Sequence, residues 1–355
     1  MKKYNVIDLF CGCGGLSEGF RQAGYEIIAG IDFNKAAIET YSKNFGEVGH
    51  CLDLLNLELE DIKKIIRKRK IDVIIGGPPC QGFSSANRYK IEGEDPRNKL
   101  FFEFVKFVDF LQPKAIVIEN VSGIVTNNNG YAKDKIYEIF SKRGYNVNHK
   151  ILIASDYGVP QKRRRNFFVM IKDCKFDFDS IERNSNIVTV KDAIGDLYNF
   201  EDNIKGSFII NNEPKSAYQT LMKNKEYSIF NHEVRYPAEK VQHRISFVPQ
   251  GGNWTSVPSN LWPSVRNNRQ SSAYKRLDEN NVSVTIDTGN NHSNYFHPLY
   301  NRIPTVREAA RIQSFSDSFV FCGNRSEQYR QVGNAVPPLL SKAIATALLE
   351  VLKDE

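Results

Sequence analysis

The residue with the clearest chemical potential in this sequence is Cys80, in the segment GGPPCQGFS at positions 76–84. An apolar, β-branched run at 71–75 comes before it, so the sequence predicts a strand that ends just ahead of the thiol. Two prolines fix the backbone there, and the flanking glycines favour an exposed loop over a buried structural cysteine. A thiolate in such a loop could act as a nucleophile toward an electron-poor partner.

Two later segments carry charges next to predicted strands. Glu119 follows the apolar run 115–118, so it falls at the same sheet edge as the cysteine loop and could polarise the partner of a thiolate. The segment QKRRR at 161–165 precedes the apolar run 167–171. Taken alone, such a glutamate is an ordinary polar strand terminus, and a charge run is usually a solvated surface.

A glycine-rich turn near the N-terminus could hold a ligand. The segment DLFCGCGG at 8–15 follows one predicted strand, and Asp32 and Asp53 follow two others. Ser17 replaces the third glycine of a dinucleotide fingerprint, and no phosphate-binding GxxxxGK is present, so dinucleotides and nucleoside triphosphates are disfavoured. An acid at the end of the second strand could bind ribose hydroxyls, and Phe33 could cover an adenine face. For the glycines alone, a tight turn with solvated acids is an equally good explanation.

Strand and helix patterns alternate through the first half of the chain. Strands are predicted at 6–10, 26–31, 71–75, 115–118 and 167–171, with helices at 17–23, 35–44, 100–111 and 132–142. This alternation predicts an open, mostly parallel sheet covered by helices. From about Ser180 the sequence becomes rich in Asn, Ser, Gly and Pro, which indicates a second domain. The last segment, 331–352, contains an apolar helix able to return to the first domain.

Composition sets broad limits on function. The 355 residues are 41% hydrophobic and 25% charged, which is typical of a globular protein. Six cysteines without a CxxC pair favour reduced thiols in a cytoplasm over a disulfide framework or a zinc site. No signal peptide or membrane-spanning apolar run is apparent. The net charge, 48 − 41 = +7, is compatible with a polyanionic partner without proving one.

Together these segments resemble the DNA (cytosine-5)-methyltransferase family of bacterial restriction-modification systems. The glycine turn, the cysteine loop, Glu119-Asn120-Val121 and QKRRR occur in the family's order. REAAR at 307–311 and QVGNAVPP at 331–338 follow, so the motifs span nearly the whole chain. Any one of them is weak, but six in order are specific.

The resemblance implies a Rossmann-like, S-adenosylmethionine-dependent α/β sheet with a smaller, loop-rich target-recognition domain. With the boundaries that composition indicates, the chain is predicted to have a catalytic domain at 1–179, a recognition domain at 180–321 and a returning C-terminal segment at 322–355. The implied partners are duplex DNA and a cognate restriction endonuclease acting on the same site. The implied protein is a cytoplasmic, nucleoid-associated monomer without a metal.

The resemblance also assigns catalytic roles. Cys80 would add to C6 of cytosine, while Glu119 would hydrogen-bond N3 and the exocyclic amine. Arg165 would hold O2, and Arg163 would support the cysteine loop or the target nucleotide. Since C6 is inaccessible in a stacked duplex, the target base would be flipped out. Gln81 and Ser84 would fill the vacated space or touch phosphate, with Arg97 as a phosphate contact.

Cofactor residues are likewise implied by the family's motifs. They are Phe10, Gly12, Gly14, Leu16, Asp32, Phe33, Asp53, Leu54, Pro79, Leu100, Asn334 and Val336. One departure from the family is Asp32, where many relatives carry the longer glutamate, so the carboxylate of this chain has a shorter reach toward the ribose.

The segment 240–277 suits the family's variable recognition region. It contains six cations, interleaved with aromatic residues. Arginine favours base edges and lysine favours phosphates, so Arg244, Arg266 and Arg269 are predicted to contact DNA. Trp254 and Trp262 are better explained as the small core of this domain.

Three alternatives remain open at this point. A tRNA cytosine methyltransferase would use nearly the same motifs, but the long segment 180–302 favours duplex DNA. A non-catalytic DNA-binding relative would be expected to lack Cys80, Glu119 or Arg165, and all three are present. A nicotinamide-dependent oxidoreductase is opposed by Ser17 and by the cysteine loop.

Overall fold

The computed structural model of the chain describes residues 3–79, 96–200, 208–209, 213–223, 228–262, 274–288 and 295–353. The chain divides into two compact units. The first comprises Met1–Tyr157, Arg164–Arg183 and Val336–Glu355, and the second comprises Gly158–Arg163 and Asn184–Ala335. The domain boundaries at 179/180 and 321/322, which were inferred from composition, remain a prediction.

Within the described residues, the first unit contains a seven-stranded sheet, which confirms the predicted α/β class. Its strands are β1 (Asn5–Leu9), β2 (Glu26–Asp32), β3 (Gly49–Cys51), β4 (Val73–Gly76), β5 (Ala115–Val121), β6 (Asn146–Ile153) and β7 (Arg164–Ile171). They lie in the order β3-β2-β1-β4-β5-β7-β6. The first five are parallel where they pair, whereas β7 is antiparallel to both β5 and β6.

Helices cover this sheet, and shorter helices occur in the second unit. In chain order they are α1 (Gly15–Gln22), α2 (Lys35–Phe45), α3 (Leu59–Ile66), α4 (Pro96–Leu111), α5 (Tyr131–Ser141), α6 (Val190–Ile194), α7 (Ala217–Met222), α8 (Glu239–Ser246), α9 (Val306–Ile312), α10 (Arg325–Asn334) and α11 (Pro338–Lys353). All four residues of β4 and the first four of β5 are buried, as expected for parallel strands covered on both faces.

The last helix, α11, packs closely against α1 in the first unit. Ser341 Oγ donates to Leu16 O at 2.6 Å, and a Cβ at Gly19 would lie only 2.3 Å from Ser341 Cβ. By length and composition, the helical region Arg325–Lys353 could cross a membrane, but 56% of its most apolar window is buried within the protein. A core helix passes the same test, and the packing on α1 accounts for the apolar face of α11.

The second unit is loop-rich in its described part. Two short sheets pair β8 (Phe208–Ile209) with β9 (Ser228–Ile229), and β10 (Lys275–Arg276) with β11 (Tyr295–Phe296).

Fully buried ion pairs join its segments. Arg311 donates to Asp196 at 2.5 Å and to both oxygens of Asp317 at 2.8 Å. Although burial alone would raise it, the charge of Arg302 holds the pKa of Glu308 well below its usual range. Arg307 is also fully buried. Both arginines of the REAAR segment therefore lie in the interior of this unit and stabilise it.

Candidate active site

Four neighbouring strands, β2, β1, β4 and β5, end at one edge of the sheet because they run in parallel. Strand β7 runs the opposite way and begins at that edge, where Arg165 lies opposite Val121. The glycine turn, the start of the cysteine loop, Glu119 and Arg165 therefore share one sheet edge, which is where open α/β sheets bind ligands.

The turn after β1 has a backbone that requires glycine. Gly12 and Gly14 have φ values of 53° and 97°, in the left-handed region that glycine tolerates. Gly12 N donates to Asp32 Oδ2 at 2.9 Å, and Asn34 N donates to Asp32 Oδ1 at 2.8 Å. Burial raises the pKa of Asp32, and these backbone donors offset part of the rise. Asp32 thus orders the turn, and its oxygens retain lone pairs for a further donor such as a hydroxyl.

Gly14 also leaves no room for a side chain. A Cβ here would lie 2.5 Å from Cε2 of Phe45, whereas a Cβ at Gly24 would meet open space at a similar φ of 100°. We expect Gly14→Ala to lower the free energy of unfolding by about 2–3 kcal/mol, since left-handed backbone costs about 1–2 kcal/mol and the ring must also move. Urea denaturation measures the loss. Gly24→Ala should lower the free energy of unfolding only by the cost of the left-handed backbone. Equal decreases in the two variants would contradict the steric argument.

The residues after β2 and β3 suit a flat ligand. Phe33 is 72% exposed although it is aromatic, so its ring is available for stacking. Asp53 caps the short 3₁₀ helix Leu54–Asn56, where its Oδ1 accepts from Leu55 N at 3.0 Å. Leu54 itself is buried. An exposed ring and two acids that follow adjacent strands fit an adenosine group.

The other predicted cofactor residues differ in exposure. Leu16 and Val336 are buried, whereas Phe10, Pro79 and Leu100 are half-buried. Asn334 is exposed at the end of α10, in the second unit.

Glu119 and Arg165 form an ion pair at the sheet edge. Glu119 Oε1 lies 2.9 Å from Arg165 Nε, and the side chains are only 14% and 17% exposed, respectively. A Cβ at Gly77 would lie 3.4 Å from Glu119 Oε2, so the carboxylate lies beside the backbone that leads to the cysteine. The structure thus brings together two residues that the sequence assigned separately, and each orients the other.

The start of the cysteine loop is fixed by a neighbouring amide. Asn120 Nδ2 donates to Pro78 O at 3.0 Å. Cys80 follows two residues later and lies outside the described residues, as do Gln81, Ser84 and the side chain of Arg97.

Two other cysteines near this edge are poor competitors for a nucleophilic role. Cys11 and Cys13 are buried in the glycine turn. Burial raises the pKa of the Cys13 thiol to about 12 and that of the Cys11 thiol well above its usual value. Both remain protonated at neutral pH, and a thiol is a much weaker nucleophile than a thiolate.

Arg163 is fully buried in the second unit. Its Nη1 donates to Ile286 O at 2.9 Å and its Nη2 donates to Gly333 O at 2.8 Å. These bonds tie together three segments that are distant in sequence, so the geometry suits a positioning residue.

The recognition segment is only partly described. Arg244, on α8, is half-buried, and its guanidinium lies 5.3 Å from the ring centroid of Trp262. Arg266 and Arg269 lie outside the described residues.

Arg276, a further arginine of the segment 240–277 and not one of the three predicted DNA contacts, lies inside the protein. It is 5% exposed, and its guanidinium donates to Val248 O at 2.6 Å and to Ile245 O at 2.8 Å, among other acceptors. The position of a cation in the sequence could not distinguish this internal arginine from a surface one.

A buried polar group beneath the glycine turn was missed by the sequence reasoning. Asp8, Ser17 and Tyr41 are hydrogen-bonded in series, with Ser17 Oγ 2.6 Å from Asp8 Oδ2 and 2.8 Å from Tyr41 Oη. The signal for it was an acid inside the strand that precedes the turn, together with a serine where a third glycine would stand.

Known proteins are similar in sequence to nearly the whole of this chain. The sequence model of the C-5 cytosine-specific DNA methylase family matches residues 4–350. The chain belongs to the C-5 cytosine-specific DNA methylase family. It is 39% identical to the type II methyltransferase M1.HphI of Haemophilus parahaemolyticus, over 98% of this chain and 87% of that protein. It is 38% identical to M.DdeI of Desulfomicrobium norvegicum, over 96% and 87%.

One solved structure agrees with the methylase assignment, and a second agrees with the fold. A DNA modification methyltransferase encoded within an E. coli prophage has a TM-score of 0.80 and 29% identity, covering 99% of this chain and all of that one. The Dnmt2 methyltransferase of S. pombe has a TM-score of 0.62 at 20% identity, covering 98% and 99%, and supports the fold alone. The chain is thus a cytosine-5 DNA methyltransferase of the restriction-modification type.

Proposed function

We propose that this methyltransferase transfers a methyl group from S-adenosylmethionine to C5 of a flipped-out cytosine in a short, specific duplex DNA sequence, through a covalent bond between Cys80 and C6. The observation that supports it most directly is the Glu119–Arg165 ion pair beside Gly77, three residues before the thiol in sequence. The thiolate of Cys80, the carboxyl group of Glu119 and the guanidinium of Arg165 would then all contact the same cytosine base.

The chemistry explains why a thiol is needed. Position 5 of cytosine is a poor nucleophile. When the Cys80 thiolate forms a bond to C6, the ring electrons move toward N3, and C5 becomes an enamine-like carbon that can take the methyl group. A base, water or a side chain, then removes the C5 proton, and the bond between C6 and sulfur breaks to regenerate the thiolate.

Glu119 and Arg165 would manage the charge that develops on the ring. The carboxyl group of Glu119 would hydrogen-bond N3 and the exocyclic amine and supply the proton that N3 requires. Arg165, which contacts Glu119 at 2.9 Å, would hold O2 and keep the carboxyl group oriented. Arg163 would act as a positioning residue, since its guanidinium donates to buried backbone carbonyls.

The residues of the glycine turn fit S-adenosylmethionine, which supplies an electrophilic methyl group on a sulfonium. Gly12 would allow close approach, because a Cβ there would meet no neighbouring atom. Asp32 and Phe33 would hold the ribose and the adenine. Leu54, Pro79, Leu100, Asn334 and Val336 are the further contacts proposed.

The DNA contacts proposed are Gln81, Ser84 and Arg97 near the flipped base, with Arg244, Arg266 and Arg269 in the recognition segment. The guanidinium of Arg244 lies 5.3 Å from the ring centroid of Trp262, and this cation–π contact would restrain the side chain. A cognate endonuclease for the same site, a monomeric state and a cytoplasmic location remain predictions.

Bisulfite sequencing of DNA from a host that expresses the protein tests the proposal. Protected cytosines should occur within one short recurring sequence. Purified protein should methylate duplex DNA carrying that sequence and should form a denaturation-resistant adduct with a 5-fluorocytosine oligonucleotide. Methylation of tRNA but not of duplex DNA would instead support an RNA enzyme, and DNA binding without an adduct would support a non-catalytic relative.

A further inference from the structure

Asp8 carries a carboxyl group that is buried beneath the glycine turn at the end of β1. Its side chain is 1% exposed. Ser17 Oγ donates to Oδ2 at 2.6 Å, and the Tyr41 hydroxyl can in turn donate to Ser17 Oγ at 2.8 Å. The second oxygen, Oδ1, has no hydrogen-bond partner among the described residues. A buried oxygen without a partner is costly for a carboxylate, but it is a natural place for the proton of a neutral acid.

The groups that face Asp8 do not compensate a negative charge. From β2, the carboxylate of Asp32 repels it. From the turn itself come the thiols of Cys11 and Cys13, which stay protonated. On α1, the charge of Glu18 is paired with Arg21 at 2.7 Å.

Ionisation is therefore unfavourable in the free protein. Burial, with a smaller contribution from Asp32, raises the pKa of Asp8 to about 8, although the Ser17 hydroxyl acts in the opposite direction. The carboxyl group is mostly neutral at pH 7, and a nearby positive charge would favour its ionised form.

We propose that Asp8 distinguishes the methyl donor from the demethylated product, because the carboxyl group gives up its proton when the positively charged donor occupies the turn above it. This inference rests on the proposed function. The donor carries a sulfonium and the product carries a neutral thioether, so the two ligands differ by one charge at the reacting sulfur. A buried carboxylate attracts that charge with little screening by solvent.

Linkage fixes the direction of the effect. A ligand that favours ionised Asp8 releases a proton on binding, and its affinity rises with pH until Asp8 is ionised in the free protein. The product gains much less. The preference for donor over product should thus increase by about 10-fold between pH 6.5 and pH 9, a typical size for a coupling between two sites.

Isothermal titration calorimetry, without DNA, tests the inference on the full chain. Donor and product are titrated at pH 7.5 in two buffers with different ionisation enthalpies, which gives the protons released per ligand bound. We expect net release with the donor and close to none with the product. The ratio of the two dissociation constants is then measured from pH 6.5 to pH 9.

Three variants assign the titration to Asp8. Asp8→Asn keeps the shape of the neutral acid, so both ligands should bind with a ratio that does not change with pH. Ser17→Ala removes the bond that favours the carboxylate, so the midpoint should move to higher pH. Asp72→Asn is the matched control. Asp72 is also buried, at 3% exposure, but it precedes β4 at the opposite edge of the sheet, so the wild-type pattern should persist.

The outcomes separate the two levels of the proposal. If neither ligand binds, the proposed cofactor, and with it the proposed function, is wrong. If both bind and the wild-type protein shows equal proton release for the two, the role of Asp8 is overturned and the proposed function stands. A pH-dependent ratio that survives in Asp8→Asn would likewise overturn it. Should Asp8→Asn fail to fold, the wild-type proton count and Ser17→Ala decide.

Discussion

Replacement of Cys80 by serine is expected to lower the rate of methyl transfer to duplex DNA by at least about 10³-fold. A serine hydroxyl has almost the same shape but is rarely ionised near neutral pH, so it cannot add to C6. The rate is measured as tritiated methyl incorporation under single-turnover conditions. Binding of unmodified duplex should stay within a few-fold of the wild-type affinity, since the change removes no charge-bearing DNA contact.

The matched control for this substitution is Cys174→Ser, which alters a thiol in the loop after β7, at the sheet edge opposite the candidate active site. It should leave both methyl transfer and the 5-fluorocytosine adduct intact. Undiminished transfer in Cys80→Ser would overturn the covalent mechanism, whatever the control shows.

Glu119→Gln is expected to slow methyl transfer by about 10²–10⁴-fold, the usual contribution of a positioned general acid. Glutamine keeps the length of the side chain and can still accept a hydrogen bond from Arg165, but it cannot supply a proton to N3. The loss should appear in the rate of the chemical step, with little change in DNA affinity. Rapid-quench measurement of a single turnover separates the two quantities.

Loss of an arginine–carboxylate pair is not in itself expected to have this effect. Asp109→Asn breaks a comparable pair, in which Arg143 Nε and Nη2 donate to the Asp109 carboxylate at 2.6 and 2.8 Å on the outside of the same unit. That variant should retain the wild-type rate. If Glu119→Gln were no slower than Asp109→Asn, the acid role of Glu119 would be wrong.

The sheet was predictable where its strands are apolar and continuous. The runs at 71–75 and 115–118 correspond to β4 and β5, whose burial on both faces leaves no need for alternation. Strand β3 is three residues long, and β6 is mostly half-buried with polar residues, so neither shows a strand pattern. The order of the strands and the reversal of β7 depend on long-range packing, which periodicity does not encode.

The candidate site was also predictable only in part from the sequence. Residue types and their place after strands indicated Glu119 and Asp32, whereas the role of Arg165, which precedes a strand, was implied only by the family resemblance. Their pairings were not predictable, because a motif gives neither the Glu119–Arg165 bond nor the bond from Gly12 N to Asp32. Burial was the other missing quantity, and it separates the internal Arg276 from the half-buried Arg244.

The packing of α11 on α1 also determines when this unit can be completed during synthesis. Ser341 and Leu16, which share a hydrogen bond, are separated by 325 positions. At typical translation speeds, α1 leaves the ribosome roughly 15–65 s before its partner helix is made. For that interval α1 lacks the helix that packs against it, so the nascent first unit keeps an apolar surface exposed until α11 has been made.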